Sequence, residues 1–310
     1  MTKLGTSDLE VSRLCLGGNV FGWTADEETS FAVLDGYARA GGNFVDTADS
    51  YSAWVEGHSG GESETIIGRW LRSRGNRDGM VVATKVGMLP GADDLKAATV
   101  ERAAEDSLRR LGVDHIDLYY AHQDDPDTPQ EETLAAFDRL VRAGKVRHVA
   151  ASNYTAGRLT SALAVSEREG FAKFVALQQA YNLVDRSYEG ELSRAVADHG
   201  LSSAPYWGLA KGFLTGKYRP GVAVESARAA GASKYLDERG LRILDAVDEV
   251  AGNHGTTQAA VALAWLAEQP TVAAPIASAR TAEQLADLVP ALDLELKADE
   301  IAALSAASRV

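Results

Sequence analysis

Eight short apolar runs recur along this chain, and between them lie longer stretches in which apolar residues return every three or four positions. The runs occupy residues 14–16, 43–45, 80–83, 116–120, 146–151, 174–177, 201–204 and 272–276. No other feature narrows the possible folds as much. Strands that alternate with helices pair in parallel through right-handed crossovers, because a right-twisted strand returns to its own sheet only that way.

The amphipathic stretches predict helices over 28–40, 62–73, 95–111, 131–143, 155–169, 189–199, 236–251, 257–267 and 281–288. Gly41, Gly75, Gly112, Gly144, Gly170, Gly200 and Gly255 stand where a left-handed residue ends a helix. Eight strand–helix units without a break in composition predict one α/β domain over 1–310, a single (β/α)8 TIM barrel. Residues 3–12 read as an N-terminal β-hairpin ahead of it, and 298–307 as an additional C-terminal helix. The longest irregular stretches, 51–61 and 207–233, both follow strands, on the face where barrel loops carry function.

Charge and cysteine usage exclude several function classes. The net charge of −13 argues against a nucleic-acid surface, which needs clustered Lys and Arg. Cys15 is the one cysteine, so no internal disulfide forms and a cysteine-built metal site is not expected. The six histidines lack the spacing of a metal-dependent hydrolase, and no metal is expected. Residues 1–14 have no apolar core of signal-peptide length, and no run reaches the ~18 apolar residues of a membrane span. A cytoplasmic protein with no membrane partner is the expectation.

Chemistry concentrates where strands end. The second run ends at Asp46, with Tyr51 five residues later. The third ends at Lys85 and the fourth at His122. A phenol titrating near ~10 is a poor acid–base catalyst at neutral pH unless its anion is stabilised, and a nearby ammonium does that. A carboxylate holds the ammonium charged, and a His beside the Tyr orients a carbonyl oxygen or relays its proton. Each residue alone has a structural use; four at neighbouring strand ends form a device that protonates an alkoxide.

Further pieces complete the pattern. They are Phe44-Val45-Asp46-Thr47-Ala48, Gly61-Glu62-Ser63-Glu64 and Ala83-Thr84-Lys85-Val86-Gly87, then Val149-Ala150-Ala151-Ser152-Asn153-Tyr154. Gln178-Gln179-Ala180-Tyr181-Asn182, Gly212-Phe213-Leu214-Thr215-Gly216-Lys217 and Pro275-Ile276-Ala277-Ser278-Ala279-Arg280 follow in order. Along nearly its whole length the chain resembles the aldo-keto reductase superfamily. The resemblance implies hydride transfer between NADP(H) and a carbonyl or alcohol, with Tyr51 as general acid in a tetrad with Asp46, Lys85 and His122. It implies that Ser152, Asn153 and Gln178 hold the nicotinamide carboxamide and that Tyr206 stacks on the ring. Leu209 and Lys217 would lie at the pyrophosphate, Ser278, Arg280 and Gln284 at the adenosine end, with Arg280 on the 2′-phosphate. Asn19 is a further cofactor contact on this reading.

Two departures from the family pattern stand out: Trp207-Gly208 replaces Ser-Pro after Tyr206, and Leu288 stands where relatives place an Asn. The absence of Gly-x-Gly-x-x-Gly removes the fingerprint of a Rossmann site. Trp23, Trp54 and Trp207 at loop mouths predict an apolar or sugar-stacking pocket for a small carbonyl or alcohol. The alternative is an NADP(H)-binding redox-sensing or regulatory subunit with little turnover.

Overall fold

The computed structural model describes residues 1–224 and 229–309. Residues 225–228 of the irregular stretch expected over 207–233, and residue 310 of the expected domain, lie outside the described residues. Ten strands appear in chain order among the described residues: β1 Thr2–Lys3, β2 Glu10–Val11, β3 Cys15–Gly17, β4 Phe44–Asp46 and β5 Val81–Val86, then β6 Ile116–Ala121, β7 Val146–Ser152, β8 Phe174–Gln178, β9 Ser202–Ser203 and β10 Ile276–Ala277. The helices are α1 Glu27–Arg39, α2 Glu62–Arg74, α3 Ala97–Leu111, α4 Gln130–Arg142, α5 Ala156–Glu169 and α6 Glu191–Asp198. They continue with α7 Ala229–Ala232, α8 Glu238–His254, α9 Gln258–Ala267, α10 Ala282–Leu288 and α11 Ala298–Ala307.

Eight strands form one parallel sheet in the order β10-β3-β4-β5-β6-β7-β8-β9. Backbone bonds between β9 and the segment just before β10 curl it into the expected (β/α)8 barrel: Ser203 N–H donates to Thr271 O at 2.6 Å and Ala273 N–H to Ser203 O at 2.9 Å. The last strand departs from the sequence reading. Only Ile276–Ala277 pairs with β3, whereas residues 271–273 reach across to β9. Pro275 lies between the two stretches and has no N–H to donate, so it interrupts the ladder there. The seven glycines expected at helix ends all have positive φ, from 61° to 88°. No described helix is long and apolar enough to cross a membrane.

Strand parity divides the core in two. Phe44, Val81, Ala83, Leu118, Tyr120, Ala150, Ala176, Ala204 and Ala274 point inward and form the barrel's filling. Their neighbours Val45, Val82, Tyr119, Val149 and Leu177 point outward against the helices. Five of these nine are alanines, small side chains that the narrow interior of an eight-stranded barrel admits. The hairpin of β1 and β2, antiparallel with Thr2 opposite Val11, closes the lower end by adding Leu4, Leu9 and Val11 to the inner cluster. Gly5 at its turn has φ of 55°, and a Cβ there would lie 2.1 Å from Val175 O. Only glycine fits that contact.

Candidate active site

The same parity builds the site at the upper end. Two residues beyond an inward apolar residue the side chain points inward again. Phe44 is followed by Asp46, Ala83 by Lys85, Tyr120 by His122, Ala150 by Ser152, Ala176 by Gln178 and Ala204 by Tyr206. Six polar side chains from six adjacent strands thus stand on one layer of alanines and aromatics. Tyr51 enters from the loop after β4.

Lys85 is the hub. Its Nζ is buried and donates to Asp46 Oδ2 at 2.7 Å, Thr47 O at 2.6 Å and Tyr51 Oη at 2.9 Å. An ammonium has three donors, and all three are used. Tyr51 Oη lies 3.2 Å from Asp46 Oδ2, to which it donates, and Gln178 Nε2 donates to Asp46 Oδ1 at 2.9 Å. The buried amide of Gln178 therefore has a partner that sequence reasoning did not identify. Asp46 and Asn153 are not helix caps: α2 begins after Gly61, and α5 is capped by Thr155, whose hydroxyl accepts from Arg158 N–H.

Burial, reinforced by the Asp46 carboxylate, pushes the Tyr51 phenol well above its ordinary value. From the sequence alone the expectation was that Lys85 stabilises the phenolate. In the structure the Asp46 carboxylate, 3.2 Å from the phenol against 2.9 Å for the ammonium, adds to burial in offsetting Lys85, so Tyr51 is held as a neutral proton donor. His122 is held well below its ordinary value by burial and then by Lys85, so the imidazole is neutral. Its ring centroid is 6.1 Å from that of Tyr51, and its backbone N–H is fixed on Val86 O at 2.8 Å.

These groups floor a cavity of about 500 Å³ whose lining runs from Trp23, Trp54 and Met88 past the tetrad to Ser278, Arg280, Gln284 and Leu288. Asp46, Tyr51 and His122 line it, as do Ser152, Asn153, Gln178, Tyr206, Trp207, Leu209 and Lys217. Lys85 lies beneath, reaching the cavity through Tyr51. Asn153 has φ of 58°, and its side chain donates to His122 O at 2.9 Å and accepts from Tyr206 Oη at 2.8 Å, which fixes the Tyr206 ring. Trp207 takes φ of 57° and packs edge-on against Tyr206 at 5.2 Å, with Lys211 Nζ 4.4 Å above its ring. Gly208 accommodates the altered path: a Cβ there would lie 2.9 Å from Leu263 Cδ2. At the far end Ser278 Oγ donates to Asn19 Oδ1 at 2.6 Å and Gln284 Oε1 accepts from Arg280 N–H at 3.0 Å. The Arg280 guanidinium has no hydrogen-bond or ion-pair partner among the described residues.

A model of the aldo/keto reductase family matches residues 13–309, nearly the whole chain. The chain belongs to the aldo/keto reductase family. It is 37% identical to an uncharacterized oxidoreductase, YrpG, of Bacillus subtilis, covering 95% of this chain and 91% of that one. It is 33% identical to the norsolorinic acid reductase stcV of Emericella nidulans, over 94% of this chain and 77% of the relative. A probable voltage-gated potassium channel subunit beta of Oryza sativa is 32% identical, with coverage of 94% and 90%. Aldo/keto reductases generally use nicotinamide cofactors, and carbonyl reduction on a small molecule is the chemistry that membership supports.

Some groups escaped the sequence reading. Thr24 and Met88 line the cavity from loops, and Lys211 from the turn after β9; their sequence context carries no signal. Behind the tetrad, outside the barrel wall, a second buried cluster joins Glu64, Thr84 and Arg110 to Asp49. Glu64 accepts from Thr84 Oγ1 at 2.5 Å and from Arg110 Nε at 2.6 Å. Both carboxylate oxygens of Asp49 are shielded from solvent and lack a hydrogen-bond partner among the described residues. Burial, followed by the Glu64 charge, raises its pKa from 3.8 to about 7 against the opposing pull of Arg110.

Proposed function

We propose that this protein is an NADP(H)-dependent carbonyl reductase with Tyr51 as general acid and base. The arrangement that carries the reading is Lys85 Nζ bonded at once to Asp46 and Tyr51 on the floor of the cavity. The donor set fits the cofactor. Ser152, Asn153 and Gln178 present a hydroxyl and amides suited to a carboxamide, beside the fixed ring of Tyr206. The unpartnered Arg280, at the other end of the same cavity, suits a phosphate dianion, which a guanidinium binds with two parallel bonds. Leu209, Lys217, Ser278 and Gln284 line the path between.

The nicotinamide supplies the hydride. Everything else is done by this chain. In reduction Tyr51 Oη gives its proton to the carbonyl oxygen, and Lys85 stabilises the phenolate that forms. Asp46 fixes Lys85, and neutral His122 is available to donate a hydrogen bond to the same oxygen. In oxidation the proton returns to Tyr51. The apolar walls formed by Trp23, Trp54 and Trp207 exclude water from the reacting carbon.

Consumption of NADPH absorbance in the presence of a panel of aldehydes and ketones tests the proposal. Turnover of at least one carbonyl, lost in Tyr51→Phe, supports it. No turnover with any carbonyl while NADPH still binds would favour the redox-sensing or regulatory subunit, and the similarity to a probable channel subunit beta speaks for the regulatory form of that reading.

A further inference from the structure

The backbone ladder along the cavity wall stops at Tyr206. Its N–H donates to Gln179 O at 3.0 Å, and Tyr181 N–H donates to Tyr206 O at 3.4 Å. The next three residues, Trp207, Gly208 and Leu209, line the cavity, and their backbone N–H groups have no acceptor among the described residues. Gly208 is buried, and its N–H is a donor that a proline at this place could not supply. Successive open N–H groups beside left-handed residues form a concavity for an anion.

This turn is strained. Of the six non-glycine residues with positive φ among the described residues, Trp207, Ala210 and Lys211 lie here, at 57°, 48° and 59°. Left-handed backbone crowds the Cβ of such a residue, so it persists only where its surroundings hold it. One side chain does so from outside the turn. Asn182 Nδ2 donates to Trp207 O at 3.0 Å, and among the described residues no other hydrogen bond ties residues 207–209 to a remote segment. Asn182 is itself buried and firmly set. Its Oδ1 accepts from Val184 N–H and Asp185 N–H, each at 2.9 Å, and its own N–H donates to Asp185 O at 2.9 Å. Two N–H groups on one oxygen fix which way the amide faces, so its NH2 meets Trp207 O. Arg239 extends the anchor, donating to Val184 O at 2.9 Å and to Ser308 O at 2.7 Å.

We propose that Asn182 is a positioning residue for the cofactor: it holds Trp207 left-handed and so keeps the N–H groups of Trp207, Gly208 and Leu209 open to the cofactor's diphosphate. This rests on the nicotinamide-cofactor reading and adds to it a residue outside the cavity lining. Without Asn182 the turn relaxes, and apparent affinity falls with the fraction of protein that keeps the binding shape.

The test is a cycle of Asn182→Ala and Trp207→Gly, read as Kd by fluorescence titration well below each variant's Tm. Glycine takes positive φ without strain, so Trp207→Gly relieves the need for Asn182. Asn182→Ala is expected to weaken NADPH and NADH alike, by about tenfold in the wild-type chain and by about twofold or less in the Trp207→Gly chain. ADP-ribose, which carries the diphosphate and no nicotinamide, weakens by the same factor in calorimetry, without turnover. Should Asn182→Ala not fold, Asn182→Asp takes its place, keeping the acceptor for Val184 and Asp185 and losing the donor to Trp207. Equal losses in the two backgrounds mark a merely structural role and overturn the proposal, as does no loss in the wild-type chain. A loss for NADPH with none for ADP-ribose overturns the diphosphate contact. Failure of the unmutated protein to bind either nicotinamide cofactor overturns the cofactor reading and the proposal together.

Discussion

Asp49→Asn is expected to stabilise this protein above neutral pH. Asp49 is buried beside Glu64, whose carboxylate takes the hydrogen bond from Arg110. A carboxyl with a folded pKa of about 7 and an ordinary value of 3.8 binds its proton more readily in the folded state. Its favourable contribution is complete below pH ~4 and is lost as pH rises through 7. At 1.36 kcal/mol per pKa unit the full loss is about 4 kcal/mol, of which about 2–3 kcal/mol appears between pH 5 and 8.5. The asparagine amide is present at both pH values, so its own packing effects cancel in the comparison. With an unfolding entropy near 2.1 cal/mol/K per residue, a chain of this length shifts in Tm by about 1.5 °C per kcal/mol. Thermal unfolding followed by circular dichroism should therefore show Asp49→Asn gaining about 3–5 °C more, relative to wild type, at pH 8.5 than at pH 5. An equal difference at the two pH values, or a larger gain at pH 5, would refute the raised pKa that burial and Glu64 impose on Asp49.

Other expectations concern the tetrad and the cofactor. Tyr51→Phe should lower kcat for reduction by about 10²–10⁴ and leave NADPH affinity within about twofold, because only the transferable proton is removed. Stopped-flow rates with an unchanged Kd would check it. Lys85→Met leaves Asp46 buried without its ammonium and should cost about 3–5 kcal/mol of stability. Surviving alcohol oxidation should shift to higher pH, and an unshifted pH profile would uncouple Lys85 from the proton step. Arg280→Ala should weaken NADPH by about 1.5–3 kcal/mol and leave NADH nearly unchanged, as read by fluorescence titration. Equal losses for both cofactors would remove Arg280 from the 2′-phosphate.

The barrel was legible because its signal is local. A strand's apolar run, a helix's periodicity and a glycine at a left-handed helix end are each written within a dozen residues, and eight repetitions leave little choice of topology. Positions 46, 85 and 122 were legible for a related reason: each closes an apolar run, at the end where a barrel carries its site, and the structure adds that each falls two places after an inward apolar residue. The displaced last strand was not legible, because pairing of residues 271–273 with β9 depends on where the curled sheet meets itself.

Local spacing along the chain carries the strand–helix order and the gathering of Asp46, Tyr51, Lys85 and His122 at one end. How their charges balance depends on the packing of segments far apart in the chain. Burial and the Asp46 carboxylate 3.2 Å from Tyr51 Oη keep the phenol protonated although Lys85 lies at 2.9 Å, and Gln178 is anchored on that same carboxylate. Likewise Asp49 is an unremarkable loop aspartate in sequence, and its titration is set first by burial and then by Glu64 and Arg110 from two helices. The physical reason is common to all three. Spacing along a chain fixes direction, whereas electrostatic energy depends on distance and burial, which arise only when remote segments pack together.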